Sequence, residues 1–496
     1  MAQQTDSSAQ KDSMDHVLKK DAALSSLPLE WKQDLMDTIR ENLAALGAKL
    51  VILDDDPTGT QTVHGLPILT GWDVPTLEQE LAEPFPAFFI LTNSRAMVRH
   101  SACNLAREIG ANLKQASEKS GVKVIVVSRS DSTLRGHFPH EVDEAAAAMA
   151  AEDLPYLICP FFLEGGRFTL EDIHYVAEKD QLIPAARTAY ARDKSFGFSH
   201  SNLKEWVEEK TGGNIKAQSV VSVGIDDIRS GGPEQVFRIL SRVPLNGACI
   251  VNAASYRDLE VVVTGLLMAM KTNCHFLYRT AASFVRVLAG VTPQPELLSS
   301  QELVASGHGP GERSAGGLMV VGSYVPKTTS QVNTLLGRSG QEHRRIQPIE
   351  IDVSRILEDD KRDIIIKDTV EEINDTLKSG IDALVYTSRS LVAGHDAESS
   401  LRIGQRVSAC LIKIVKGIRC QPKFLLSKGG ITSSDIATEA LGVKRAMVLG
   451  QVLPGVPVWE LGDESLFPGM PYIIFPGNVG DENALDVVLN QINQES

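Results

Sequence analysis

Three consecutive carboxylates are the first feature of this sequence that could do chemistry. Asp54, Asp55 and Asp56 end the apolar run KLVIL and open the stretch DDDPTGT. Because like charges side by side are costly to ionise, such a cluster is expected where a site makes use of it. A carboxylate there could serve as a phosphoryl-accepting nucleophile or as the base that activates an acceptor hydroxyl. Asp and Thr are also common in turns and helix N-caps, but three carboxylates are more than capping needs.

Two later stretches add guanidinium, carboxylate and hydroxyl groups. ILTNSRAM presents Arg95, and VVSRSDSTLRG presents Arg129, Asp131, Ser132 and Arg135. This mixture suits a polyhydroxylated acid, because a guanidinium can hold a carboxylate in a bidentate pair while Asp and Ser bind hydroxyl groups. A solvated loop with fortuitous ion pairs is the alternative interpretation.

Glycine-rich turns follow apolar runs in the C-terminal half. They occur in VVGSYVP, LLSKGGITSSD and IIFPGNVGD, each ahead of a helical pattern. Glycine permits close approach of the backbone, and the free N–H groups of a helix N-terminus bind phosphate. These turns form a candidate phosphate or nucleotide site, with an ordinary glycine turn and serine N-cap as the alternative.

Unbroken apolar runs must position all these groups. KLVILD, AFFILT, VKVIVVS, LPYLICP and CIVNA recur in the N-terminal half, and LMVVGS, ALVYTS, FLLSKGG, RAMVLG and YIIFPG in the C-terminal half. Apolar runs without polar alternation are typical of strands covered on both faces, and ligands bind outside the carboxyl ends of such strands. We therefore predict an α/β protein of two domains, each a largely parallel sheet flanked by helices, with the active site in the interdomain cleft.

The chain of 496 residues is too long for one ordinary hydrophobic core. Residues 1–46 are predicted to form an N-terminal helical extension, whose last helix ends on Gly47 as a C-cap. The first domain then spans residues 47–291. A Pro-, Gly- and Ser-rich linker covers residues 292–316, and residues 317–496 form the second domain.

Composition and charge indicate which classes of binding partner and which cellular compartment to expect. Lys and Arg number 49 against 63 Asp and Glu, and the formal charge of −14 argues against a general nucleic-acid binder. No apolar run reaches membrane-span length, and the polar N-terminus lacks a signal-peptide core. Six scattered cysteines without a CxxC pair favour free thiols over a zinc site or a disulfide framework. We predict a cytoplasmic protein without nucleic-acid or membrane partners, and the oligomeric state, homo-oligomer included, stays open.

The ordered set of motifs resembles the four-carbon acid sugar kinase family, the kinases of threonate, erythronate and 3-oxo-tetronate type. DDDPTGT resembles its DDxTG signature, SRSDSTLRG its second N-terminal motif, and VGSYVPKTTSQ, SKGGITSSDIA and FPGNVG its C-terminal segments in the same order. The resemblance implies that residues 47–291 bind the sugar acid and residues 317–496 bind ATP. The nucleotide-binding residues that it implies are Ser323, Gly429, Gly430, Ile431, Thr432, Gly477, Asn478 and Gly480.

We therefore predict an ATP-dependent kinase that phosphorylates a hydroxyl of a short sugar acid. Asp56 is the predicted base that activates the acceptor, with Asp55 a close second. Arg129 and Arg135 are predicted to hold the substrate carboxylate. Mg²⁺ is expected from the chemistry as a cofactor beside ATP, without assignable ligands. The substrate-binding residues predicted in full are Asp54, Thr58, Arg95, Arg129, Asp131, Ser132 and Arg135.

Two other functions stay open. Asp54, Asp56 and Thr58 match the DxDxT spacing of haloacid-dehalogenase-type phosphatases, and Lys428 with the stretch GDENALD resembles the later motifs of those enzymes. Against this interpretation, the later motifs fall in the second predicted domain, where the surrounding glycines favour phosphate binding over metal chelation. A non-catalytic nucleotide-binding sensor is the third function that the same residues could serve.

Overall fold

The computed structural model describes residues 16–294, 296–304, 315–338, 346–389 and 397–493. The first fifteen residues of the predicted extension and much of the predicted linker lie outside these ranges. The chain divides into two compact units. Unit 1 takes in the chain up to Asp55, Trp72–Phe88 and Ser94–Thr292, and unit 2 takes in Asp56–Gly71, Phe89–Asn93 and the chain from Pro293. The predicted domain bounds stay a prediction.

Strands and helices alternate along both units. The strands of the described residues are β1 (Leu18–Lys19), β2 (Ala48–Asp54), β3 (Leu66–Leu69), β4 (Ala87–Leu91), β5 (Lys123–Arg129), β6 (Tyr156–Cys159), β7 (Arg167–Leu170), β8 (Ile173–Glu178), β9 (Gln181–Pro184), β10 (Val221–Val223), β11 (Ala248–Val251), β12 (Leu277–Thr280), β13 (Leu318–Val321), β14 (Ile346–Ile351), β15 (Asp382–Thr387), β16 (Leu425–Lys428), β17 (Arg445–Leu453), β18 (Val456–Leu461) and β19 (Pro471–Phe475). The α-helices are α1 (Lys20–Ser25), α2 (Met36–Leu46), α3 (Val74–Ala82), α4 (Arg99–Ser120), α5 (His140–Ala148), α6 (Leu203–Lys210), α7 (Ile225–Arg229), α8 (Gly232–Leu240), α9 (Tyr256–Lys271), α10 (Ala282–Leu288), α11 (Pro326–Arg338), α12 (Val353–Ile356), α13 (Asp359–Lys378), α14 (Ala397–Lys416), α15 (Gly430–Asp435) and α16 (Ala484–Asn493).

The main sheet of unit 1 is parallel, with the strand order β10-β11-β6-β12-β5-β2. Every residue of β11 is buried, as expected of a strand covered on both faces. In the ladder, Asp54 lies opposite Arg129, and Arg129 lies opposite Thr280. The predicted parallel α/β architecture is confirmed, and it brings the polar ends of β2, β5 and β12 together at one edge.

A second sheet of unit 1 is antiparallel, with the order β1-β9-β8-β7. No apolar run predicts it. In the hairpin of β7 and β8, Thr169 lies opposite His174. The two turn residues, Glu171 and Asp172, have φ angles of 49° and 65°, which is the backbone of a two-residue type I′ hairpin. This turn usually carries Asn-Gly or Asp-Gly, so the Glu-Asp pair gives no signal by which the turn could be predicted from the sequence.

The glycine C-cap predicted for the helix that precedes β2 is confirmed. α2 ends on Gly47, whose φ of 59° and ψ of 28° lie in the left-handed region. Glycine enters this region without the steric cost that a Cβ would add, so the residue suits a C-cap.

Unit 2 has the strand order β3-β17-β18-β19-β16-β13-β15-β14. The five strands from β19 to β14 are parallel, whereas β18, β17 and β3 pair antiparallel. The run RAMVLG begins β17, whose residues alternate between buried and half-buried, as in an antiparallel strand with one covered face. Because β13, β16 and β19 are parallel neighbours, the turns that follow them share one edge of the sheet.

Residues 56–71 follow β2 in the sequence but pack within unit 2. The backbone N–H of Gly65 donates to the carbonyl of Val448 at 2.7 Å, and β3 pairs with β17. Trp459 Nε1 donates to Thr60 Oγ1 at 3.0 Å, and both side chains are fully buried. The DDDPTGT stretch is therefore tied to the core of unit 2 directly after its aspartates.

Thr60→Val is expected to lower the free energy of unfolding by about 1–3 kcal/mol, because it leaves the buried indole N–H of Trp459 without its acceptor. Urea unfolding followed by tryptophan fluorescence measures the change. Thr60→Ser keeps the hydroxyl group and is the control variant. A valine variant that is as stable as the serine variant would contradict the assigned hydrogen bond.

Every helix within the described ranges is too short or too polar to span a lipid bilayer. The six cysteines are free thiols, of which Cys159, Cys249 and Cys410 are buried. Burial raises the pKa of the Cys159 thiol to about 12. The cytoplasmic location stays a prediction.

Candidate functional site

The ends of β2 and β5 form a buried network of aspartates and arginine in unit 1. Arg129 Nη1 lies 3.1 Å from Asp54 Oδ1 and 3.6 Å from Asp55 Oδ1. Ser130 Oγ donates to Asp55 Oδ2 at 3.0 Å. Asp54 is fully buried, and Asp55 and Arg129 are nearly so. The neighbouring strand thus supplies the positive charge and the hydroxyl that allow two carboxylates to be buried together.

Arg95 extends this network to Asp131. Its Nη1 lies 3.1 Å from Asp131 Oδ1 and 3.8 Å from Asp55 Oδ1. Arg135 Nε donates to Asp131 Oδ2 at 2.7 Å, and the hydroxyl of Thr133 donates to the same oxygen. Burial alone would raise the pKa of Asp131, but Arg95 and Arg135 hold that pKa well below its ordinary value. Asp131 is therefore a charged anchor on which two arginines converge.

These arginines differ in how far solvent reaches them. The side chains of Arg95 and Arg135 are 17% and 29% exposed, against 6% for Arg129. A ligand carboxylate can reach the first two, whereas Arg129 is enclosed with its two aspartates.

Two buried side chains outside the predicted site hold the loop that follows β5. Arg279 Nη2 donates to the carbonyl oxygens of Asp131 at 2.8 Å and Arg135 at 3.1 Å. His174 Nε2 lies 2.7 Å from the carbonyl oxygen of Ser132. Burial lowers the pKa of His174 to about 3, so the neutral ring donates from Nε2 to this carbonyl. The predicted residues Asp131, Ser132 and Arg135 therefore sit on a backbone fixed from two sides.

Glu141, in the first turn of α5, carries a raised pKa beside this network. Ser94 Oγ donates to Glu141 Oε2 at 2.8 Å. The pKa of Glu141 is raised to about 7, mainly by burial and to a smaller extent by the charge of Asp55. The carboxyl group is therefore only partly ionised at neutral pH.

Glu141→Gln is expected to flatten the pH dependence of stability near neutrality. The folded-state pKa of about 7 exceeds the ordinary value of 4.5, so the folded chain binds an extra proton between these values. The stability that this proton provides is fully present below the ordinary pKa and is lost as pH rises through the folded-state value. Glutamine stays neutral and can still accept from Ser94, so the variant should exceed the wild type by about 1–2 kcal/mol at about pH 8 and match it near about pH 4.

Urea unfolding over this pH range measures the difference between Glu141→Gln and the wild type. Glu118→Gln, which neutralises an exposed carboxylate on α4, is the control. The assignment fails if Glu141→Gln changes stability by the same amount at both ends of the range.

Asp56 is fixed at the start of unit 2 by the residue two positions further on. The backbone N–H of Thr58 donates to Asp56 Oδ1 at 2.8 Å, and the Thr58 hydroxyl donates to the same oxygen. Asp56 Oδ2 lies 3.9 Å from the position that a Cβ would take on Gly430. One oxygen of the carboxylate is thus oriented by Thr58, and the other faces the glycine turn after β16.

The turns after β13, β16 and β19 lie together in unit 2. Thr328 Oγ1 lies 3.3 Å from Ser323 Oγ and donates to the carbonyl of Gly477 at 3.1 Å. Gly429 has a φ of 119°, and a Cβ there would lie 3.0 Å from the Cβ of Ser323. Both the backbone and the neighbouring turn therefore require glycine at position 429. Gly430, by contrast, would meet nothing nearer than Asp56 Oδ2.

The other predicted nucleotide-binding residues belong to the same turns. Ile431 is exposed in the first turn of α15. Thr432 packs against Gly322, and a Cβ at position 322 would clash with Thr432 Oγ1. Asn478 is exposed, and Gly480 has a φ of 79°. The structure thus brings all the predicted nucleotide-binding residues to three neighbouring turns.

Lys428 is a buried lysine between two of these turns. Its Nζ donates to the carbonyl of Pro476 at 3.0 Å and lies 3.7 Å from the centroid of the Phe475 ring. The pKa of Lys428 is lowered to about 7, mainly by burial and to a smaller extent by the charge of Lys327. Lys428 therefore ties the turn after β16 to the turn after β19.

Three buried or partly buried side chains of the network, Arg279, His174 and Glu141, are not among the site residues predicted from the sequence. Arg279 had a usable signal, since an arginine inside the strand sequence LYRT must find partners if that strand is buried. His174 and Glu141 had none, because their contacts are with residues distant in the chain.

Two family models match the chain, one on each side of the predicted linker. The sugar-binding N-terminal domain model matches residues 50–288, and the nucleotide-binding C-terminal domain model matches residues 318–485. The two matches together cover most of the chain.

The relatives agree with this match. D-erythronate kinase of Heliobacterium modesticaldum is 26% identical over 476 residues, which are 90% of this chain and 99% of that protein. D-threonate kinase of Bordetella bronchiseptica is 28% identical over 165 residues, which are 32% of this chain and 38% of that protein.

Two solved structures share the fold. A Haemophilus influenzae protein has a TM-score of 0.61 at 16% identity, covering 89% of this chain and all of the other. A Salmonella typhimurium protein named a putative tRNA synthase has a TM-score of 0.65 at 16% identity, covering 90% of this chain and all of the other. With the two matched domains in this order, the chain belongs to the four-carbon acid sugar kinase family.

Proposed function

We propose that this protein is an ATP-dependent kinase that phosphorylates a hydroxyl group of a short sugar acid. The proposal rests on the position of Asp56. Its Oδ2 lies 3.9 Å from the position that a Cβ would take on Gly430. In phosphoryl transfer to an alcohol, a carboxylate orients or deprotonates the acceptor hydroxyl while backbone N–H groups hold the phosphates. A carboxylate beside a glycine turn of the phosphate-binding type meets both needs.

Asp56 is favoured over Asp55 as the acceptor-activating carboxylate. Asp55 is nearly buried, and its oxygens are engaged by Ser130 and approached by the guanidinium groups of Arg95 and Arg129. Asp56 is half-buried and has one oxygen oriented by Thr58. The proposed role of Asp55 is to hold the two arginines in position.

The proposed acid-binding residues are Arg95, Asp131 and Arg135 in unit 1. A guanidinium binds a carboxylate in a fork of parallel hydrogen bonds, and a charged Asp131 can accept from a substrate hydroxyl. The named activities of the relatives, on D-erythronate and D-threonate, support a four-carbon acid such as threonate, erythronate or 3-oxo-tetronate. Asp54, Arg129 and Ser132 are buried, and we assign them to supporting the site from behind.

ATP is the proposed donor, held by the backbone N–H groups of the three glycine turns that contain Ser323, Gly430 and Gly477. Mg²⁺ is the proposed cofactor, and it neutralises charge on the phosphates when bound. Such an ion usually takes one or two carboxylates together with phosphate oxygens of the nucleotide, so the chemistry does not require a dedicated protein cage.

A haloacid-dehalogenase-like phosphatase would use Asp54 as its nucleophile. Asp54 is fully buried and lies 3.1 Å from Arg129 Nη1. A nucleophile must reach the phosphorus atom of its substrate, so this burial favours the kinase over the phosphatase.

A coupled ADP-release assay with ATP, Mg²⁺ and a panel of four-carbon sugar acids tests the proposal. ADP formation that depends on one of the acids is the expected result. Phosphate release from phosphomonoesters without an acid would favour the phosphatase. ATP binding without turnover on any acid would favour a nucleotide sensor and overturn the kinase.

A further inference from the structure

Arg167, the first residue of β7, carries a guanidinium group close to Tyr190 in unit 1. Among the described residues, no carboxylate lies within ion-pairing distance of it. Its Nε is buried without a hydrogen-bond partner in these ranges, and its Nη2 donates to Tyr190 Oη at a long 3.4 Å. A half-buried charge is costly unless it is paired, so an anion is the expected partner of Arg167.

Tyr190 links Arg167 to the predicted substrate site. The guanidinium carbon of Arg167 lies 5.8 Å from the centroid of the Tyr190 ring, and that of Arg135 lies 5.1 Å from the same centroid. Both distances are those of a guanidinium against an aromatic ring. Two positive groups are therefore held on one aromatic side chain.

The hairpin that carries Arg167 is anchored to the loop after β5. His174, on the paired strand β8, lies 2.7 Å from the carbonyl of Ser132 through Nε2. The charges of Arg279 and Arg167 both lower the pKa of His174, after the larger effect of burial. Arg167 thus lies on a hairpin that His174 ties to this loop.

Three other arginines of the network each pair with a carboxylate. Arg129 pairs with Asp54 and Asp55, and Arg95 pairs with Asp131. Arg135 pairs through Nε with Asp131, and its Nη1 lies 4.0 Å from Asp193 Oδ2, at the limit of an ion pair. Arg129 Nε and two nitrogens of Arg279, Nε and Nη1, also lack a hydrogen bond in the described ranges, but both side chains are buried. Arg167 differs from them because its side chain is only half-buried and can meet a ligand.

We propose that Arg167 and Arg135, both held against the ring of Tyr190, form the subsite that binds the carboxylate of the sugar acid. The inference rests on the proposed function, because it names the groups of that site that bind the carboxylate of the acid. Two guanidinium groups offer more N–H donors than a carboxylate needs, and Tyr190 Oη can donate a further hydrogen bond. The subsite selects acids over neutral polyols of the same length, because only a carboxylate compensates the charge of Arg167.

Arg167→Ala is expected to raise the KM for a four-carbon sugar acid by about 10- to 100-fold, the loss expected for hydrogen bonds to a charged group. The kcat should change little, since Arg167 lies outside the phosphoryl-transfer groups. Any activity on the polyols erythritol and threitol should keep its KM. Arg167→Lys restores the charge without the fork and should recover part of the affinity. Arg192→Ala, which removes an exposed arginine next to Asp193, is the control and should behave as the wild type.

Calorimetric binding of erythronate and threonate separates this inference from the proposed function. If the wild type binds an acid but never releases ADP, the proposed kinase activity is wrong, whereas the proposed carboxylate-binding subsite is not contradicted. Equal affinity for the acid in the wild type and in Arg167→Ala would overturn the subsite, as would a wild type that binds no acid. Tyr190→Phe, which keeps the ring and removes only Oη, gives the same comparison if Arg167→Ala does not fold, with a smaller expected loss of about 3- to 10-fold.

Discussion

Asp56→Asn is expected to reduce kcat by about 10²- to 10⁴-fold while leaving ATP binding intact, because general base catalysis by a positioned side chain contributes about that factor. The fold should tolerate the change. Asparagine keeps a carbonyl oxygen that can accept from the backbone and hydroxyl of Thr58, which now donate to Asp56 Oδ1. What disappears is the negative charge beside Gly430. The ADP-release rate at saturating acid and ATP is the measurement, with thermal unfolding as the test of folding.

Asp55→Asn is the matched comparison, since the two residues are neighbours with different surroundings. Asp55 compensates Arg95 and Arg129 in a nearly buried network, so its neutralisation should lower stability as well as activity. Asp56→Asn should lower activity alone. Full turnover in Asp56→Asn would contradict its role as the base, and an equal loss of stability in both variants would contradict the distinction between them.

The fold was predictable where apolar runs have no polar alternation. The runs KLVILD and VKVIVVS become β2 and β5, and their parallel pairing brings Asp54 and Arg129 opposite one another. That step needs only the rule that carboxyl ends of parallel strands meet at one edge. The antiparallel sheet of unit 1 was not predictable in the same way, because its strands are short and its Glu171-Asp172 turn lacks the usual glycine.

The site was predictable in its residue types but less so in their pairing. Arg129 and Arg135 are equivalent in sequence, as arginines on either side of Asp131. The structure separates them, since Arg129 is enclosed by Asp54 and Asp55 while Arg135 keeps exposed surface. Which arginine a carboxylate neutralises depends on strand register, and register is set by contacts across the whole sheet. Arg167 could not be predicted for a similar reason, because it lies in a hairpin that no local pattern indicates and its partner Tyr190 is distant in the chain.

Adjacent glycines in the turn after β16 offer a test that separates folding from nucleotide binding. Gly429 has a φ of 119° and contacts Ser323, so Gly429→Ala is expected to lower the free energy of unfolding by about 1–3 kcal/mol. Gly430 has an ordinary φ, and its Cβ position is 3.9 Å from the nearest group, Asp56 Oδ2. A side chain at position 430 therefore fits the fold.

Gly430→Val is accordingly expected to unfold at nearly the same urea concentration as the wild type but to bind ATP at least about 100-fold more weakly. The valine methyl groups would occupy the space in which phosphate oxygens approach the N–H groups of the turn, and the loss of two hydrogen bonds to a charged group accounts for a factor of that size. Equilibrium binding of ATP and urea unfolding on the same preparation give both quantities. Unchanged ATP affinity in a folded Gly430→Val protein would show that the nucleotide does not use this turn, and Asp56 would then lose its proposed place beside the transferred phosphoryl group.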